Sequence, residues 1–177
     1  GANLNVPLWM LGSSLFGAQL AAQLGLPYAF ASHFAPAALD EALQQYRHLF
    51  KPSSQLTKAY AMPCISVIVA DTNEQAQYLF TSMQLRFLGM IRGQRGKLTP
   101  SVDNIENCWT PMEKAQVESI LSCAFVGSPT TVTKKLQQFI NRTKADELIV
   151  SAGIFEQSAR LYSYQLLAEI GRGLKYG

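Results

Sequence analysis

Two rhythms alternate along this chain. Short runs of consecutive apolar residues give way to stretches in which apolar residues recur every three or four positions. The first rhythm predicts strands covered on both faces, the second helices with one buried stripe. Leu8–Leu11 predicts a strand that stops at Gly12-Ser13-Ser14. A helix follows from Ser13 or Ser14 to about Leu24, with Phe16, Leu20 and Leu24 forming one apolar stripe and Gly25 ending it. Pro27 opens a second buried strand, Tyr28–Ser32, with His33-Phe34 at its end, and a helix over about 37–50 places Leu39, Leu43, Tyr46 and Phe50 on one face.

The third strand, Met62–Ala70, is nearly continuous in β-branched residues. Asp71-Thr-Asn-Glu74 reads as a cap with a glutamate three residues on, starting a helix to about Met90. A basic, glycine-rich loop, 92–97, and an irregular stretch lead to Thr110-Pro111-Met112-Glu113, a capping box with proline at its favoured first helical position. That helix is short, to about Ser122. Ser128-Pro129 repeats the start signal for a helix burying Val132, Leu136, Phe139 and Ile140. A fourth strand, Asp146–Ser151, and a helix over about 156–174 close the chain. Strand and helix therefore alternate four times, with extra helices before the last strand. This alternation predicts one α/β domain over 1–177, built on a parallel sheet with helices outside. Four such units fit an open doubly wound sheet or half of an eight-stranded barrel.

Composition narrows the function. At 177 residues and 48% hydrophobic the chain supports one real core, and no run approaches a membrane span. The net charge of +3 is spread out, which argues against a nucleic-acid partner. Cys64, Cys108 and Cys123 are widely spaced and there are only two histidines, so neither a metal site nor a disulfide framework is expected, and a reducing cytoplasm is the default compartment.

The richest candidate chemistry lies at Gly12-Ser13-Ser14. A glycine turn running into a helix start offers free N–H groups and the positive end of a helix dipole, an arrangement suited to a phosphate; a plain βα turn has the same residues. His33 is placed at the end of a strand, either beside a ligand or hydrogen-bonded in its loop. Ser151 and Phe155 end the fourth strand and could line the same pocket. Arg92, Arg95 and Lys97 could clamp an anion, but basic loop residues are ordinarily solvated. Trp9 is expected in the core, and Cys64 has no base placed beside it.

Several segments together resemble the luciferase-like family of flavin-dependent monooxygenases. They are Pro7–Ser14, Leu24–Ala31 with His33-Phe34, Val67–Thr72, Val126–Val132, Ala145–Val150 and Tyr162–Glu169. Their order and spacing cover nearly the whole chain. The resemblance implies a TIM-type (β/α)8 barrel, of which these segments match strands 5–8, the C-terminal half, with the family's helical insertion before the last strand. It implies an enzyme that uses reduced FMN, or a related flavin such as a deazaflavin, and O2 to oxidise a small organic substrate, supplied with electrons by a flavin reductase or directly by a nicotinamide. Gly12, Ser13 and Ser14 would hold the flavin phosphate, and His33 would be the catalytic candidate. A half-barrel has open edges, so the chain is expected to associate as a homo-oligomer, or with a separate first half, or to be a piece of a longer enzyme. The opening on Gly1, close to a strand, favours the last. The alternative functions are a catalytically silent flavin-binding half-barrel acting through a partner chain, and a non-flavin phosphate-ligand binder on an open sheet.

Overall fold

The computed structural model describes residues 6–94 and 96–176. Arg95 and Gly1 lie outside them. Five strands, β1 (Met10–Gly12), β2 (Tyr28–Phe30), β3 (Ala61–Val69), β4 (Ala124–Gly127) and β5 (Ile149–Ser151), form one all-parallel sheet. The helices are α1 (Leu15–Leu24), α2 (Leu39–Leu49), α3 (Asn73–Ile91), α4 (Pro111–Ile120), α5 (Pro129–Thr143) and α6 (Gln157–Gly171). Single 3-10 turns at Pro36–Ala38 and Ile105–Asn107 precede α2 and α4.

All nine residues of β3 are buried, and it touches three other strands. On one edge the Tyr60 carbonyl accepts from Tyr28 N–H and the Cys64 carbonyl from His33 N–H. Higher on the same edge, Ser66 N–H donates to Cys123 and Ala70 N–H to Gly127. The β2 strand thus occupies the lower part of that edge and β4 the upper part, with Ser32 and His33 at the changeover. The opposite edge takes β5 at Cys64–Ser66, and beyond it Val69 N–H donates to the buried Ser163 hydroxyl of α6 at 2.9 Å.

Alternate residues of the sheet face two different covers. Tyr28, Phe30, Ala61, Ile65, Val67 and Val69 pack with the small face of α1 (Ala18, Ala21, Ala22), with Leu39, Leu43 and Tyr46 of α2 and with Leu136 and Phe139 of α5. On the other face, Ile68, Ala70, Val126 and Ile154 pack against Ala76 and Leu79 of α3. A third cluster joins Met83, Phe87 and Leu88 of α3 to Val117 of α4 and to Leu121. Lower on that second face Leu11 is 69% exposed. Among the described residues β1 pairs only with β2, and β5 only with β3.

Four sequence expectations need correction. The described residues form five strands: β4 is a four-residue piece that exists because β2 leaves the upper edge of β3 unpaired. The first strand begins at Met10, so Leu8 and Trp9 lie outside it, and Trp9 is 42% exposed with its ring edge-on to Tyr60. The Phe16–Leu20–Leu24 stripe does not face the core: Phe16 is 73% and Leu24 51% exposed, because α1 approaches the sheet through Gly17, Ala18, Ala21 and Ala22. Finally, α3 is capped by Thr72, whose hydroxyl accepts from Gln75 N–H, while Asp71 accepts a hydrogen bond from the Tyr162 hydroxyl. Thr110 and Ser128 cap α4 and α5 as their sequence motifs predict.

Candidate functional site

The parallel sheet places every strand's C-terminal end on one rim, where ligands of such sheets collect. On that rim β1 ends at Gly12. A Cβ there would stand 3.1 Å from the Tyr28 hydroxyl oxygen and 3.4 Å from Gly17 Cα, so a side chain at this position would crowd Tyr28 and α1. Tyr28 is fully buried, which pushes its pKa up to about 12 and keeps it a neutral donor; its hydroxyl holds the Ser14 carbonyl at 3.2 Å. Ser14 occupies the cap position of α1 in extended backbone, yet its side chain makes no capping bond. No acidic residue stands in the first turn of α1, and Ser13 and Ser14 are exposed. This helix start therefore presents N–H groups and two hydroxyls outward, unlike α3, α4 and α5, whose Thr72, Thr110 and Ser128 caps occupy theirs. The geometry fits a phosphate.

The end of β2 is tied to this turn, since Ala31 N–H donates to the Gly12 carbonyl at 2.9 Å. Two residues on, the buried Ser32 hydroxyl donates to the Cys64 carbonyl at 2.6 Å and His33 N–H donates to it at 2.8 Å. Those bonds fix the backbone beneath the imidazole. His33 Nδ1 is buried without a hydrogen-bond partner among the described residues. The ring lines a cavity of about 330 Å³ shared with Ser151, whose hydroxyl lies 3.5 Å from that of Ser66. His33 and Ser151 thus meet in one cavity, while Phe155 does not line it.

A second cavity, of about 510 Å³, adjoins the first. Phe34, Arg86 and Met90 line both. Lys97 lines the larger one, but Arg92 does not: it makes a two-pronged ion pair with Glu113 at 2.7 and 3.0 Å and also donates to the Cys108 carbonyl. Arg92 is a brace between α3 and α4. Arg86 was not singled out by sequence, because a lone arginine at helical spacing among apolar residues has no signature. Burial raises the pKa of the Cys64 and Cys123 thiols, which suits neither to nucleophilic work.

A family profile described as luciferase-like monooxygenase matches residues 2–147. A protein of Escherichia coli K12 named luciferase-like monooxygenase is 49% identical over 170 residues, 96% of this chain and 51% of that protein. The crystal structure of apo-MsnO8 superposes with a TM-score of 0.79 at 29% identity, covering 100% of this chain and 54% of that one. The FMN complex of the oxygenating constituent of 3,6-diketocamphane monooxygenase from Pseudomonas putida gives 0.61 at 18% identity, covering 96% and 49%. This last likeness concerns the fold alone. The chain spans about half the length of the curated relatives it matches. With the profile spanning most of its residues and a relative identical at nearly half of the aligned positions, the chain belongs to the luciferase-like monooxygenase family.

Proposed function

We propose that this chain is the C-terminal half, strands 5–8, of a flavin-dependent monooxygenase barrel acting on a small organic substrate. The observation that carries the reading is the uncapped start of α1, with the Ser13 and Ser14 hydroxyls beside it, on the same rim as the cavity of His33 and Ser151. In this reading the N–H groups and hydroxyls at residues 12–14 hold the FMN phosphate. Reduced FMN, when bound, supplies the electrons with which O2 oxidises the substrate. His33 faces the reaction space with its backbone anchored on β3, placed to hold or move a proton. The apolar side chains that α3 contributes to the cavity, Met83, Phe87 and Met90, would shield the site from water once the barrel is closed. A flavin reductase would supply the reduced cofactor. Membership of the luciferase-like family motivates the cofactor reading, and the Pseudomonas putida protein, which shares the fold, is one that binds FMN.

The edge of β1 that pairs with no other strand among the described residues, with the exposed Leu11 and Phe16, favours one further feature, a partner seated there: the first four strands of such a barrel, or a second copy. A silent flavin-binding half-barrel shares this feature. The test is a titration with FMN and with riboflavin, which lacks the phosphate, with the complementary half supplied in trans. FMN is expected to bind at least tenfold tighter than riboflavin, and Ser14→Asp to abolish that preference while leaving riboflavin affinity unchanged. No flavin binding with the first half restored sinks the proposal. Binding without reductase-dependent oxygen uptake assigns the silent alternative.

A further inference from the structure

The two adjoining cavities form one cleft from His33 and Ser151 at the strand ends to Lys97 in the loop after α3. Its walls are largely apolar, from Phe34, Met83, Leu85, Phe87, Met90 and Leu98, and no aspartate or glutamate lines either part among the described residues. Arg86 stands where the two parts meet. Its Nη1 donates to the Gly96 carbonyl at 2.8 Å, which pins the guanidinium to the loop while leaving its other N–H groups available. The ion pairs among the described residues join Arg92 to Glu113, Lys114 to Glu106 and Arg142 to Asp40, so no carboxylate neutralises Arg86 or Lys97. Two cations with no carboxylate partner among the described residues, one midway along an apolar cleft and one toward its end, make an electrostatic selector.

We infer that the cleft takes a substrate with an apolar body and a carboxylate, the carboxylate binding at Arg86 with Lys97 beyond it and the body extending toward His33. The inference rests on reading the strand-end rim as the reaction chamber. A carboxylate matches the planar fork that one guanidinium presents, and the apolar walls match a chain or ring of carbons. The flavin phosphate is the other anion that could reach Arg86, and the experiment separates the two.

Octanoate and octanol, equal in carbon skeleton and different in charge, serve as probes, their affinities for the chain measured by calorimetry. Octanoate is expected to bind at least tenfold tighter. Arg86→Gln should remove most of that preference and Lys97→Gln a smaller part, with octanol affinity unchanged in both. Arg86→Lys, which keeps the charge and loses the fork, should retain an intermediate preference and shows that the loss in Arg86→Gln is not misfolding. Equal affinity for both probes, binding of neither, or a preference that survives Arg86→Gln overturns the inference. So does loss of the FMN-over-riboflavin preference in Arg86→Gln, which would assign the cation to the flavin phosphate. Failure of wild-type chain to bind FMN with octanoate preference intact would instead count against the flavin reading alone.

Discussion

Replacing Ser163 by alanine tests the bond that finishes the open side of the central strand. The β5 strand stops at Ser151, opposite Ser66, so Val69 N–H has no strand partner on that edge and is served by the Ser163 hydroxyl at 2.9 Å. Ser163 is 2% exposed and Val69 1%, so water does not replace the hydroxyl without opening the helix–sheet contact. Stranding a buried N–H costs about 1–3 kcal/mol. Against this, alanine is the better helix former by about 0.5 kcal/mol at a mid-helix position. The net loss is therefore about 0.5–2.5 kcal/mol, which for a chain of this size lowers the melting temperature by about 2–8 °C. Ser158→Ala, at an exposed position in the first turn of the same helix, carries much of the propensity term without the hydrogen bond and should be neutral or slightly stabilising. Urea unfolding of the three proteins, with equal m-values as the check on two-state behaviour, measures the difference. If Ser163→Ala and Ser158→Ala unfold at the same urea concentration, the Ser163 hydroxyl does not support the strand as argued.

Other expectations follow from single contacts. Gly25 has φ +63 and an added Cβ would stand 2.5 Å from the Lys51 carbonyl, whereas Gly93 has φ +73 with open space around it. Gly93→Ala should cost about 1–2 kcal/mol from backbone conformation alone, and Gly25→Ala distinctly more, read by the same urea curves. Glu113 is held from an ordinary 4.5 down to about 2, first by its hydrogen bonds from Arg92 and then by Thr110 N–H. A depressed carboxylate contributes stability that is present above its unfolded value and is lost as pH falls through the folded one. Glu113→Gln should therefore flatten the fall in thermal stability between about pH 4.5 and 2, and an unchanged profile would refute it. Tyr28→Phe removes the donor that holds the Ser14 carbonyl and, on the proposed reading in which that turn holds only the phosphate, should weaken FMN binding more than riboflavin binding.

Legibility in the sequence followed the range of the forces involved. The β3 strand was plain because a strand buried on both faces must be apolar at nearly every position, and the caps of α4 and α5 were plain because capping is decided within four residues. The β4 strand was hidden: Ala-Phe-Val-Gly is too short to carry a period, and its pairing depends on where β2 departs. The stripe on α1 misled because apolar periodicity reports which residues share a face and not which face the sheet meets; alanines and glycines, weak in hydropathy, won through closeness of approach. At the site, Ser13, Ser14, His33 and Ser151 were placed on a common rim by the parallel order of the strands. Arg86 was not, because its setting depends on the loop returning to present the Gly96 carbonyl.

The segment between β3 and β4 leaves the sheet after Ala70 and returns to it as β4, which runs back up along β3 to the level at which the chain left. Ala70 N–H bonds Gly127 at 3.3 Å, and the Asn73 side chain accepts from Ser128 N–H at 2.9 Å. The stretch from α3 to β4, which supplies nearly all of the larger cavity's wall and half of the smaller one's, is an excursion whose two ends are stitched together at its base. The entropy of closing such an excursion grows only slowly with its length. Residues could be added to it, removed or exchanged, reshaping the cleft while the strands, the α1 turn and the anchored His33 stayed in place. The frame proposed to carry the cofactor site and the part proposed to select the substrate are thereby separable units of variation within one continuous chain.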